Sequence, residues 1–338
     1  MSIGSIILLS GAIVASELAL ANPLRDLLKG RAVKKMEDMP APEATGVVGK
    51  KIEKAGDYTF AIQHGGLTRY YIVHVPKSYR VEVPTPLLLV FHGGGGNMQV
   101  QATDEFYKQI SKSESAGFVA VFANGYSRFK SGKLATWNAG ACCAAARDKN
   151  IDDVGFIKQV VSNVTAQLNI DKKKIYATGM SNGAMMAYRL ACELPDIFSG
   201  IAAVAGTDNT VACPAGAAVS VLHIHAQDDD HVLFGGGVGE KAFKDRSLVS
   251  EFVSVPKTVE KWVKRNGCHP KPKRILEKDG AYCDRYVGCR SGSAVQLCVT
   301  STGGHSWPGG NKPRSGCDTK PSIAISANDV MWEFFTRK

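Results

Sequence analysis

No C-x-x-C pair occurs among the nine cysteines of this 338-residue chain, which removes the usual signature of a structural zinc site. No Gly-Lys-Ser/Thr follows its glycine run, so a loop that cradles phosphate in the P-loop manner is excluded as well. Ser/Thr-rich or Pro-rich linkers, internal repeats and low-complexity tracts are also missing. One domain, over 53–338, is therefore expected to carry the fold, with no separate module for gripping an insoluble polymer. Basic residues exceed acidic ones by a formal charge of +10. They are spread along the chain, however, and their short runs (172–174 and 271–274) lack interleaved aromatics. That pattern makes a solvated basic surface and no nucleic-acid partner.

What is present begins with an apolar, small-residue segment over 3–21. It ends Ala19-Leu20-Ala21 before Asn22-Pro23, the pattern of an A-x-A cleavage site, although Glu17 interrupts it and only the α-amino group precedes it. Residues 1–21 are expected to be a signal peptide or, if uncleaved, a membrane anchor, since the run approaches spanning length. That anchor would be the only stable association with a membrane. Residues 22–52, charged and Pro-containing, read as a leader. Cys268, Cys283, Cys289, Cys298 and Cys317 crowd the last third, which suits disulfides in an oxidising, secreted or periplasmic setting. Cys142 and Cys143 are expected to take separate partners or leave a free thiol. The odd total leaves one cysteine unpaired within a monomer. Neither the connectivity nor the oligomeric state is legible.

Short continuous apolar runs at 86–91, 118–122, 174–178, 200–204 and 219–224 read as strands buried on both faces. Helical patterns fall at 151–168, 182–194 and 259–265. The alternation predicts an α/β fold, a mostly parallel central sheet with helices on both faces. Strands at 57–62 and 67–75, flanking His64-Gly65-Gly66, form an antiparallel hairpin at one edge. The irregular stretch 124–150 is too long for a plain connector and is expected to pass over the mouth of a site.

Gly179-Met180-Ser181-Asn182-Gly183 stands between a strand and a helix. A serine on such a turn is strained, with its Oγ held above the sheet, and the flanking glycines avoid collision with neighbouring elements. The new helix aims its N-terminal amides at the same point, favouring developing negative charge. His92-Gly93-Gly94-Gly95-Gly96-Asn97 follows an early buried strand. Backbone N–H groups can approach an oxyanion there because no side chain obstructs them, so Gly93 or Gly94 together with Asn182 is the expected donor pair. Among the eight histidines, His305, in Gly303-Gly304-His305-Ser306-Trp307, follows a strand expected over 294–299 and is the candidate general base. The acid is one of Asp228, Asp229 and Asp230, between which spacing alone does not choose. His223 and His225 face the same side of a strand. That is compatible with metal ligation, but their expected role is to support the acid loop by packing, and no metal or cofactor is expected.

These residues, with Thr136-Trp137-Asn138-Ala139-Gly140 leading to Cys142-Cys143 and with Asp152-Asp153-Val154-Gly155-Phe156, resemble the exported poly(3-hydroxybutyrate) depolymerase-like and feruloyl esterase-like family of α/β-hydrolases. The resemblance runs from about Gly56 to the C-terminus. Its acid loop, His-Gly-x-x-Asp-x-x-Val-Pro, aligns on His225 and Val232 and so implies Asp229; Ala226 and Leu233 depart from it. It implies an exported serine esterase working through an acyl-enzyme on a small or oligomeric ester. The first expectation for substrate is short 3-hydroxybutyrate oligomers. The alternatives are feruloyl or acetyl esters on plant polysaccharide, or acyl transfer on the same scaffold. Trp137 and Trp307, with Phe129 and Phe234, are candidates for the acyl pocket.

Overall fold

The computed structural model describes residues 31, 33–242, 251–311 and 320–337. The expected signal or anchor segment, 1–21, lies outside them. No helix among the described residues is long and apolar enough to cross a membrane. The chain divides into two units, Met1–Ala41 with Phe129–Ser131, and Pro42–Arg128 with Gly132–Lys338. In the first, residues 33–37 are helical. Everything below belongs to the second, which takes in part of the expected leader: Gly46 N–H donates to Thr59 O, and Ile52 N–H to Gln167 O.

One ten-stranded sheet has the order β1-β2-β4-β3-β5-β6-β7-β10-β9-β8. The expected hairpin is there at its edge: β1 (Gly56–His64) pairs antiparallel with β2 (Leu67–Val75). Gly65 and Gly66 both adopt positive φ at its tip, as a two-residue turn matched to strand twist requires. In the centre β3 (Thr85–Phe91), β4 (Val119–Ala123), β5 (Ile170–Met180), β6 (Gly200–Val204), β7 (Ser220–Ala226) and β10 (Val295–Thr300) run parallel. β9 (Ala281–Tyr286) and β8 (Lys273–Lys278) close the far edge antiparallel.

Strand alternation divides the apolar residues between two layers. Leu87, Leu89 and Phe91 belong to the core shared with helices α2 (Asp153–Gln167), α3 (Asn182–Glu193) and α4 (Val255–Asn266). Leu88 and Val90 belong to the opposite core, with Met331 and Phe334 of α5 (Ala327–Thr336) and Ile110 of α1 (Gln109–Ala116). Burial on both faces explains why the central strands read as continuous apolar runs. β8 is exposed at nearly every position and α1 is mostly polar, so neither carries a periodic signal that the sequence reading could use. β9 and α5 were not anticipated either.

From Gly132 to Asn150 the stretch expected to pass over the mouth of a site packs instead behind the glycine loop and α3: Ala135 pairs with Gly96, and the Trp137 indole N–H donates to His92 O at 3.1 Å. Asp153, fully buried, takes Arg69 of β2 at 2.6 Å and the Asn138 N–H at 2.8 Å. Asp152 caps α2 through the Gly155 N–H at 2.8 Å. The Asp-Asp-Val-Gly-Phe motif therefore anchors this loop to sheet and helix.

Cys192–Cys213, Cys268–Cys289 and Cys283–Cys298 form disulfides, the last directly across the β9–β10 ladder. Cys142 and Cys143, expected to take separate partners, are paired with each other across a cis peptide. The turn that holds them is closed by the Cys143 N–H on Trp137 O. Cys317 lies outside the described residues.

Arg69→Met should leave the Asp153 carboxylate buried without its cation, at a cost of about 3–5 kcal/mol. A thermal melt should show a clearly lowered midpoint; an unchanged midpoint would mean that the pair does not hold the loop.

Candidate active site

Because the six central strands are parallel, their C-terminal ends share one edge, where ligands of open α/β sheets bind. Ser181 stands there between β5 and α3 with φ 56° and ψ −124°, a conformation costly for a residue with a side chain. Its N–H donates to Val204 O at 2.9 Å and its carbonyl accepts from Met185 N at 3.0 Å. The turn closes only because its neighbours are glycines. A Cβ on Gly179 would lie 2.6 Å from the Gly183 carbonyl, one on Gly183 2.3 Å from Phe91 O, and one on Gly206 2.3 Å from Ser181 O.

The glycine loop follows β3. Gly125 N–H donates to His92 Nε2 at 2.9 Å, so the His92 proton sits on Nδ1 and is donated to Gly93 O at 2.8 Å. Gly95 N–H is committed to Ala135 O and Gly96 N–H to Gly93 O. The amides of Gly93, Gly94 and Asn182 have no acceptor among the described residues. Gly93 approaches so near that a Cβ there would sit 3.5 Å from Ser181 Cβ. The Asn182 side chain locks to the Trp137 backbone, accepting at 2.7 Å and donating at 3.0 Å.

The three aspartates after β7 have three different environments. Asp228 accepts the N–H groups of Gly303 and Gly304 at 3.3 and 2.8 Å and so fastens the loop that carries His305. Asp230 lies at the surface, between His231 Nδ1 at 2.6 Å and Lys241 at 3.0 Å. Asp229 is buried: Oδ1 accepts the His231 and Val232 amides at 2.8 and 2.9 Å, and Oδ2 accepts His305 Nδ1 at 2.9 Å. Burial pushes its carboxyl up, but the charge and hydrogen bonds of His305 and the hydrogen bond of His225 outweigh that and hold it well below the usual carboxylate range. With Nδ1 committed as donor, His305 Nε2 is left as the acceptor.

Ser181 and His305 line one cavity of about 600 Å³, together with Gly93, Gly94, Phe106 and Trp307. Among the described residues no hydrogen bond joins the Ser181 hydroxyl to His305; catalytic contacts of this kind commonly tighten only around bound substrate. Trp137 is fully buried behind the glycine loop, its ring edge-on to Phe91 at 5.2 Å, and is not among the residues that line the cavity. Trp307 lines it; Phe234 packs against the core instead. The ligand atoms of Asp229, Asp230 and His231 lie within 4.8 Å of one another, but these carboxylates are already matched by N–H donors and by Lys241.

The specific task of Asp228 was not legible in the sequence; His225, expected to support the acid loop by packing, lies there with its Nε2 3.2 Å from Asp229 Oδ2. The His-x-His alternation on β7 was the available signal.

A model of the Esterase family matches residues 66–268. The chain belongs to that family. Its curated relatives include feruloyl esterases. It is 28% identical over 247 residues to feruloyl esterase B of Piromyces equi, covering 70% of this chain and 42% of that protein. It is 24% identical over 287 residues to feruloyl esterase D of Neurospora crassa, covering 80% and 83%. The chain thus spans less than half the length of the first relative and most of the second. Acetyl xylan esterase from Aspergillus awamori superposes with a TM-score of 0.56 at 13% identity, over 82% of this chain and 98% of that one, which establishes the α/β-hydrolase fold.

Gly183→Ala should destabilise the esterase by about 1–3 kcal/mol through its clash with the β3 backbone. Gly235→Ala, where a Cβ meets nothing within 4 Å, should be close to neutral. Chemical denaturation of the two variants checks the contrast, and equal midpoints would refute the packing argument.

Proposed function

We propose that this chain is an exported carboxylic-ester hydrolase in which Ser181 is the nucleophile, His305 the general base and Asp229 the acid that orients it. The observation that carries the proposal is the 2.9 Å bond from His305 Nδ1 to buried Asp229, on the edge of the cavity where the strained Ser181 stands. His305 Nε2 takes the Ser181 proton as Oγ attacks the ester carbonyl, and the amides of Asn182 and of Gly93 or Gly94 receive the oxyanion. The imidazolium returns the proton to the leaving alcohol, forming the acyl-enzyme. Water then attacks by the same route, and the acid departs. No step calls on a metal or cofactor.

The relatives favour hydroxycinnamoyl or acetyl esters of plant polysaccharide over hydroxybutyrate oligomers. Two of those above are named for feruloyl esterase activity, and a third relative, from Neocallimastix patriciarum, is a bifunctional acetylxylan esterase/xylanase, 25% identical over 47% of this chain. The cavity supports an aromatic acyl group: Phe106, Tyr107 and Trp307 line it, with Tyr107 and Trp307 edge to face at 6.0 Å. Its three disulfides away from the adjacent pair suit an oxidising, extracellular compartment.

Ser181→Ala should abolish hydrolysis of methyl ferulate and p-nitrophenyl acetate. Asp229→Asn should lower kcat on the order of 10⁴-fold, because the amide presents a donor to His305 Nδ1 and favours the wrong tautomer. Asp230→Asn should have little effect. Steady-state assays of these variants test the triad. Faster turnover of 3-hydroxybutyrate oligomers than of methyl ferulate or acetylated xylo-oligosaccharides would overturn the substrate reading while leaving the triad intact.

A further inference from the structure

Behind Asp229 the structure contains an unbroken line of buried polar groups that the proposed mechanism does not use. Tyr188 Oη on α3 lies 2.7 Å from His223 Nδ1, His223 Nε2 lies 3.0 Å from His225 Nδ1, and His225 Nε2 reaches Val232 O at 2.8 Å and Asp229 Oδ2 at 3.2 Å. Tyr188 and His223 are fully buried and His225 is 1% exposed. The two imidazoles stack at 5.2 Å and 5°, as residues two apart on one face of a strand can.

The far end decides where every proton sits. A carbonyl and a carboxylate can only accept, so His225 Nε2 carries its hydrogen. Neutral His225 then offers a lone pair at Nδ1, which requires the hydrogen of His223 to be on Nε2. His223 Nδ1 in turn is an acceptor, so the Tyr188 hydroxyl donates to it. Burial holds His223 well below the ordinary imidazole range, and burial, with Asp208, holds the Tyr188 phenol well above its own. Both shifts keep the neutral forms that the line needs. With His225 neutral, every link is satisfied in one direction only.

We propose that His225 is a positioning residue for Asp229, and that Tyr188 and His223 lock it in the tautomer that donates to the carboxylate. The inference rests on the triad reading. Oδ2 of Asp229 accepts from His305 Nδ1 and lies 3.2 Å from His225 Nε2, whose own 2.8 Å hydrogen bond goes to Val232 O, while the other carboxylate oxygen is held by the two amides described above. His225 therefore fixes the plane of the carboxylate and draws off part of its charge. Removing that donor makes Asp229 a stronger partner for protonated His305, so the imidazolium persists to higher pH. The titratable groups around the line, among the described residues, are Asp208 beside Tyr188, paired with Lys261 at 2.8 Å, and, on the other side of Asp229, His305 with His231 stacked on it at 4.8 Å and Asp230 bonded to His231 and Lys241. Phe234, edge-on to His225 at 6.1 Å, carries no charge.

The test is the pH profile of kcat/KM for methyl ferulate. In His225→Leu the acid limb should move up by about one pH unit, with roughly tenfold lower kcat/KM below it. His225→Gln, whose amide N–H can reach the same oxygen, should restore the limb. Tyr188→Phe should move it in the same direction by less. Nitrogen NMR of the wild-type imidazoles gives a readout that does not depend on any variant folding: both His223 and His225 should carry hydrogen on Nε2 and none on Nδ1 at the pH of the assay. A hydrogen on Nδ1 of either ring, or an unmoved acid limb in His225→Leu, overturns the proposal. Ser181→Ala and His305→Ala serve as controls. If they retain turnover, the triad reading itself has failed; if they are inactive while the His225 variants match wild type, only the positioning role falls.

Discussion

The constraint on which the site depends is the approach of the first turn of α3 to the end of β3, where a side chain on Gly183 would sit 2.3 Å from Phe91 O. That approach forces the sharp bend at Ser181 and brings the glycine loop beside it. Gly93 ends up against Ser181 Cβ, and Asn182, at the first position of the helix, presents its amide to the same space. Helix and strand meet so closely only because β3 and β5 are adjacent and parallel, so the bend is a consequence of sheet order as well as of local sequence.

A second constraint acts from the other side. The loops after β7 and β10 approach each other because those strands are neighbours in the sheet, and the three consecutive aspartates divide the work of joining them. Asp228 fastens the backbone of the histidine loop, Asp229 receives the imidazole, and Asp230 stays with the surface charges. A buried carboxylate is costly unless each oxygen is matched by donors. Here two amides and two imidazoles match it, which is why it remains ionised so deep in the fold.

The irregular stretch between β4 and α2 acts as a brace. From Gly132 onward it ties the glycine loop to α3 through Trp137 and Asn182, and it is itself tied to β2 and α2 by the buried Arg69–Asp153 pair. Aromatic residues that read as pocket lining in the sequence are in one case, Trp137, the back wall of the loop. The cavity's aromatic surface comes from Phe106, Tyr107 and Trp307, two of which lie in a short polar-flanked segment with no motif to mark it.

The sequence by itself determined the fold class, the edge hairpin, the serine turn, the glycine loop and the late histidine loop. Each of these depends on local physics: continuous apolar runs for strands covered on both faces, and glycines where backbone must pass backbone. Tertiary structure alone decided which way Trp137 faces, how the cysteines pair, and that His223 and His225 continue into a line of hydrogen bonds from Tyr188; it also brings His305 to Asp229, which the family resemblance implied and spacing alone did not. Those outcomes depend on contacts between segments far apart in the chain, and neighbouring residues of one type, such as Asp228, Asp229 and Asp230, differ only in what the fold places opposite them.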